Sequence, residues 1–161
     1  MTVAIVSSLA AILGVVCGSF INFYLEKNRR REERAWESSA QQLRLYAEFI
    51  TLASRWLMEL NWASRHANPK ENPEAAQQER RTLEEVHRET LVPYGMIRMT
   101  ASSSMTERAS DIIHLCHEHQ ADYEAGNLNE DALWANDAKW QTLRSAFTEE
   151  AHKEHFDYLR R

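Results

Sequence analysis

The sequence predicts an all-α protein, with one N-terminal transmembrane helix followed by an antiparallel cytoplasmic bundle of three to four helices. Three observations lead there. The 161 residues include only four Gly and three Pro, against many strong helix formers such as Glu, Ala, Leu, Arg and Gln. Residues 1–25 are almost wholly apolar. Beyond them, apolar residues recur at three-and-four spacing, and no sustained alternation of β-branched residues suggests strands. The expected organisation is a transmembrane anchor over 1–25, a basic juxtamembrane collar over 26–36 and a helical bundle over 37–161.

The anchor is read from Thr2 to Leu25, where only Cys17 and Tyr24 are ionisable and both are neutral at pH 7. As a helix this stretch spans roughly 36 Å, against a hydrocarbon core of about 30 Å. A cleaved signal peptide would have a basic start, a shorter apolar run and small residues at the cleavage site. Here no Lys or Arg precedes the run, and it ends in Phe20-Ile-Asn-Phe-Tyr24. Lys27, Arg29, Arg30, Arg31 and Arg34 follow it. The positive-inside rule therefore predicts a single-pass protein of the plasma (inner) membrane, N-terminus outside and C-terminal domain in the cytoplasm. Ala10, Gly14, Gly18 and Asn22 stand four residues apart. They form a small-residue stripe on which two spans can pack, with the Asn amide available for an interhelical hydrogen bond.

No Gly or Pro occurs between Ser19 and Asn68, so one helix can run through this stretch. A restart at Ser38 or Ser39 is the alternative, because Ser39-Ala-Gln-Gln42 reads as a capping box. Leu43, Tyr46, Ala47, Ile50, Ala53, Leu57 and Leu60 then mark an apolar face. Leu45, Phe49, Leu52 and Trp56 widen it enough to suit a helix with two bundle neighbours. Asn68 to Pro73 reads as a loop, with Pro73 opening the next helix. Pro93 and Gly95 predict a kink or short break. Ser104-Met-Thr-Glu107 predicts the start of a third helix, Gly126 its end and Asn129 the cap of the last. The Trp and Tyr residues fall mostly at core spacing.

The order of these features carries a resemblance. An apolar span, Arg34-Ala-Trp36 and the helix Leu43-Arg-Leu-Tyr-Ala-Glu-Phe-Ile50 are followed by weaker helices. The chain resembles a large group of short, uncharacterised bacterial single-pass membrane proteins with an Arg-rich collar and a small helical bundle. The resemblance implies an inner-membrane helical bundle and no activity.

Charge narrows the partners. Residues 26–34 hold five basic and three acidic side chains, a net +2, whereas residues 35–161 hold 14 basic and 21 acidic, a net −7. So acidic a domain excludes nucleic acid as the expected partner, while the collar suits lipid headgroups. The expected partners are the lipid bilayer and either further copies of the chain or another membrane or cytoplasmic protein. Two distant cysteines, Cys17 and Cys116, form no disulfide framework and fit a reducing compartment.

Two patterns invite chemistry. Glu84-Glu-Val-His87 and Glu149-Glu-Ala-His152 match the spacing of di-metal carboxylate bundles, but 19 Glu and seven His produce about one such spacing by chance. In His114-Leu-Cys-His-Glu-His119 the four ligand-type residues spread around the helix, so they do not converge on one ion. Cys116 reads as a small buried hydrophobe. The sequence therefore designates no catalytic, cofactor-binding or metal-binding residue. It predicts a membrane-tethered interaction or scaffold module that self-associates. A metal-binding helical-bundle enzyme and a small pore-forming effector are the alternatives.

Overall fold

In the computed structural model the backbone is described except at residues 1, 68, 71, 129 and 161; side chains are not described for residues 1–25, 28, 31, 32, 34, 35, 130 and 158–160 either. Four helices and no strand occur among the described residues: α1 (Thr2–His66), α2 (Pro73–Thr100), α3 (Ser103–Glu124) and α4 (Glu130–Arg160). Two compact units divide the chain, Met1–Ser39 and Ala40–Arg161.

In the first unit, described collar side chains pair along the helix. Arg29 Nε donates to Glu33 Oε1 and Arg30 Nε to Glu26 Oε1, each at 3.0 Å and four residues apart. Such exposed pairs contribute a few tenths of a kcal/mol each, about 0.3–0.5. Arg31 and Arg34 lie outside the described side chains, as do the anchor and its stripe Ala10, Gly14, Gly18 and Asn22. Among the described residues no helix is long and apolar enough to cross a membrane.

The second unit is an up-down-up-down bundle. Gln42, Phe49 and Arg55 of α1 meet Thr100, Tyr94 and Glu89 of α2 in reverse order. Tyr94 and His87 of α2 meet Ser110 and His117 of α3. Ser102, just before α3, meets Glu154, and Glu118 meets Lys139. Phe49 faces Phe147, and Tyr46 faces both Phe147 and Glu154, closing α4 onto α1. Trp56, Phe49, Leu60, Leu83, Ile97, Ile112, Leu115 and Phe147 are fully buried in the shared core.

Among the helix boundaries, one open choice is decided and two expectations differ. Ser39 is buried within α1, which passes through the capping-box residues without restarting. A capping box is also compatible with a helix already nucleated upstream, where extending the helix adds one backbone bond per residue. Pro93 is buried inside α2, and no break occurs at Gly95. Proline removes a single N–H, and the packed Val86, Thr90 and Ile97 around it hold the helix together. The cap of α3 is Ser102, whose side chain accepts from the Met105 N–H at 3.2 Å, two residues before the expected Ser104. Pro73 opens α2 as expected, behind an Asn72 side chain that accepts from the Ala75 N–H. Gly126 ends α3 with a φ of +63°, the left-handed region glycine enters without strain. The expected cap Asn129 lies outside the described residues.

Candidate functional site

The side chains singled out for metal chemistry stand apart. His87 stacks on Trp56 (centroids 4.6 Å apart, planes at 29°) and meets the edge of His117 at 4.9 Å, while Glu84 is exposed to solvent. His152 instead borders a depression with Leu43, Tyr46, Ala47 and Ile50, two turns or more from the level of Trp56, and Glu149 is exposed. Hence the two Glu-x-x-His patterns do not face one another. In the His114–His119 run each residue goes its own way. His114 pairs with Glu118 at 3.2 Å on the surface. Cys116 is fully buried, and burial pushes its thiol up to about 12, so it is an inert apolar side chain. No group of three or more metal-ligand residues occurs among the described residues.

What the bundle does assemble is a ring cluster and, beside it, a cleft. Trp56 is stacked on one side by His87 from α2 and meets His117 from α3 edge to face at 5.2 Å. Its indole N–H donates to Gln120 Oε1 at 3.2 Å, and the Gln120 amide donates to Glu124. His87 is held below the usual imidazole range, first by burial and then by the neighbouring His117. One turn further along α1, Asn61 Oδ1 accepts from His119 Nε2 at 3.0 Å. A carbonyl oxygen only accepts, so the bond places the ring proton on Nε2. His119 is fully buried, and burial pushes its pKa down, with Asp122 opposing.

Asn61 and His119 form part of the wall of a cleft of about 240 Å³ between α1 and α4. Ser54, Leu57 and Met58 line one side; Asn136, Asp137, Trp140, Gln141 and Arg144 line the other. Large apolar side chains stand in solvent around it. Met58 is 69% exposed, Trp62 48% and Trp134 72%. Trp62 lies one turn beyond Met58 and stacks on His66 at 4.6 Å. Trp134 shares the α4 stripe of Asp137 and Gln141, three and seven residues on. The antiparallel register that faces Phe49 with Phe147 brings Trp62 level with the turn Trp134–Asp137.

Sequence periodicity missed this surface because it placed most of the tryptophans, Trp134 among them, at core spacing. Trp56 and Trp140 are buried there, but Trp36, Trp62 and Trp134 are exposed, as is Phe156. One signal was legible. Leu133 and Trp134 are consecutive, about 100° apart around a helix, so a narrow core face admits only one of them. Leu133 is the buried one. No protein-family model, curated protein or solved structure matches this chain.

Proposed function

We propose that this chain is a membrane-tethered interaction module that self-associates, anchored through residues 1–25 with the bundle on the cytoplasmic side. The observation that supports it is the α1–α4 cleft with Met58, Trp62 and Trp134 exposed around it. Clustered large apolar side chains at a rimmed depression mark protein contact sites, and Trp is the residue type most enriched at their energetic centres.

The charges of the cleft favour a second copy as the occupant. Asp137 and Arg144 both line it, seven residues apart on one stripe of α4, about 10 Å along the axis. A two-fold axis perpendicular to α4 and level with the cleft sets the same patch against itself with the α4 helices antiparallel, so each Asp137 meets the other copy's Arg144. Tethering both copies in one membrane raises their effective concentration and lowers the affinity such a contact needs.

Co-purification of two differently tagged full-length chains from native membranes tests this. Wild-type copies should be recovered together. Asp137→Arg in both copies, or Arg144→Asp in both, sets like charges opposite and should reduce recovery severalfold. One copy of each variant restores both pairs and should restore recovery. Equal recovery from every combination would overturn the role of the cleft.

A further inference from the structure

The C-terminal half of α2 presents a second surface, distinct from the cleft. Arg88, Leu91, Val92, Met96, Arg98 and Met99 are all exposed, with Val92 at 63% and Met99 at 79%. At 100° per residue they fall within an arc of about 160°. Between Val86 and Thr100 the only acidic residue is Glu89, and it is bound by Arg55 Nη1 at 3.0 Å. This face is therefore basic and apolar on a bundle whose overall charge is strongly negative. The acidic residues Glu84 and Glu85 bound it on the N-terminal side.

We propose that this α2 face docks on the anionic surface of the bilayer to which the chain is tethered. The proposal rests on the tether in the preceding section but not on the cleft. Two features select lipid as the occupant. The first is charge complementarity: Arg98 stands at one edge of the apolar arc and Arg88 within it, one turn before Leu91 and Val92, so cationic heads and apolar side chains share one face, as in helices that lie in a headgroup layer. Each basic side chain near such a surface is drawn to its anionic headgroups. The net negative charge of residues 35–161 opposes approach of the bundle as a whole, so a basic and apolar face is favoured over an acidic one. The second is connectivity. The Gln42 amide donates to the Thr100 carbonyl at 3.4 Å, so α2 ends beside the start of the α1 segment in the bundle. Only 14 residues lie between Leu25 and Ala40, a reach of at most about 54 Å even fully extended. The unbonded space around Gly95, where an added Cβ would meet nothing within 4 Å, keeps the middle of the face open.

The test uses the full-length chain reconstituted into vesicles of phosphatidylcholine alone or mixed with phosphatidylglycerol, carrying headgroup nitroxide lipids. Met99→Cys with Cys17→Ser is labelled with an environment-sensitive fluorophore; Cys116 is fully buried. Glu149→Cys, exposed on α4, is the control in the same background. The Met99 probe should be quenched severalfold more than the Glu149 probe in anionic vesicles, and the excess should vanish in neutral vesicles and with Arg88→Glu plus Arg98→Glu. Equal quenching of both probes in anionic vesicles would overturn the docking. Release of the chain from vesicles by an alkaline wash would overturn the tether itself, an outcome separate from the quenching comparison.

Discussion

Tyr46 and Glu154, 108 residues apart in the chain, share a 2.6 Å hydrogen bond in which the phenol donates to Glu154 Oε2. The other carboxylate oxygen accepts the backbone N–H of Ser102 at 2.9 Å. Glu154 thus does from α4 what the third residue of a capping box does within one helix: it satisfies the N–H of the N-cap. Burial, reinforced by the Glu154 hydrogen bond and charge, pushes the Tyr46 hydroxyl up, so it remains a donor at every accessible pH. One carboxylate therefore ties α1, the start of α3 and α4 together at one end of the bundle.

That arrangement is expected to show as coupling. Residues 35–161, which contain the whole compact unit from Ala40 onward, should fold without the span and melt cooperatively. In urea unfolding of this fragment, Tyr46→Phe should cost about 1–2 kcal/mol and Glu154→Ala somewhat more, since a hydrogen bond to a charged group contributes about 1.5–3 kcal/mol. The double variant should cost less than the two singly, because both remove the same bond. Strict additivity would show that the pair contributes no energy of its own.

The two glycines of the bundle should respond in opposite directions. Gly95 lies inside α2 with no atom within 4 Å of an added Cβ, so Gly95→Ala should stabilise by roughly 0.5–1 kcal/mol through the helix preference alone. Gly126 has φ +63°, and an added Cβ would also sit 2.8 Å from Lys70 Cγ. Gly126→Ala should destabilise by about 1–2 kcal/mol. A lower urea midpoint for Gly95→Ala, or a higher one for Gly126→Ala, would contradict the assignment at that glycine.

Stability should fall in mild acid. His87 and His119 are both held below the usual imidazole range, each first by burial. The fold keeps them neutral, whereas the unfolded chain takes up protons near pH 6.5. Their contribution is therefore complete above that value and is lost as pH drops below it, at about 1 kcal/mol per pH unit for the fully buried His119. Between pH 7 and pH 5, His119→Gln should flatten the slope. An unchanged slope in that variant would remove His119 from the acid response.

The span carries its own expectation. In the proposed span, Ala10, Gly14, Gly18 and Asn22 are expected to line one stripe on which two helices meet closely. In a bacterial membrane two-hybrid assay of the isolated span, Gly14→Ile with Gly18→Ile should lose signal and Val16→Ile should keep it. Equal signals would leave association to the α1–α4 cleft.

The sequence by itself determined the all-helical class. It also determined the helix ends at Pro73 and Gly126, where one residue's backbone chemistry decides, and most of the core, because Phe49, Ala53, Trp56, Leu57 and Leu60 repeat at the helical period. Tertiary structure decided what short-range rules leave open. Ser102 rather than Ser104 caps α3, where Glu154 from another helix supplies the second cap bond. Pro93 sits within an unbroken α2 because its neighbours Val86, Thr90 and Ile97 are packed in the core. The cleft depended on the third dimension altogether. Asn61 and His119 are 58 residues apart, and periodicity says only that a residue is on a helix face. Which neighbour that face meets, and whether Trp134 or Leu133 turns inward, is set by packing among helices distant in sequence.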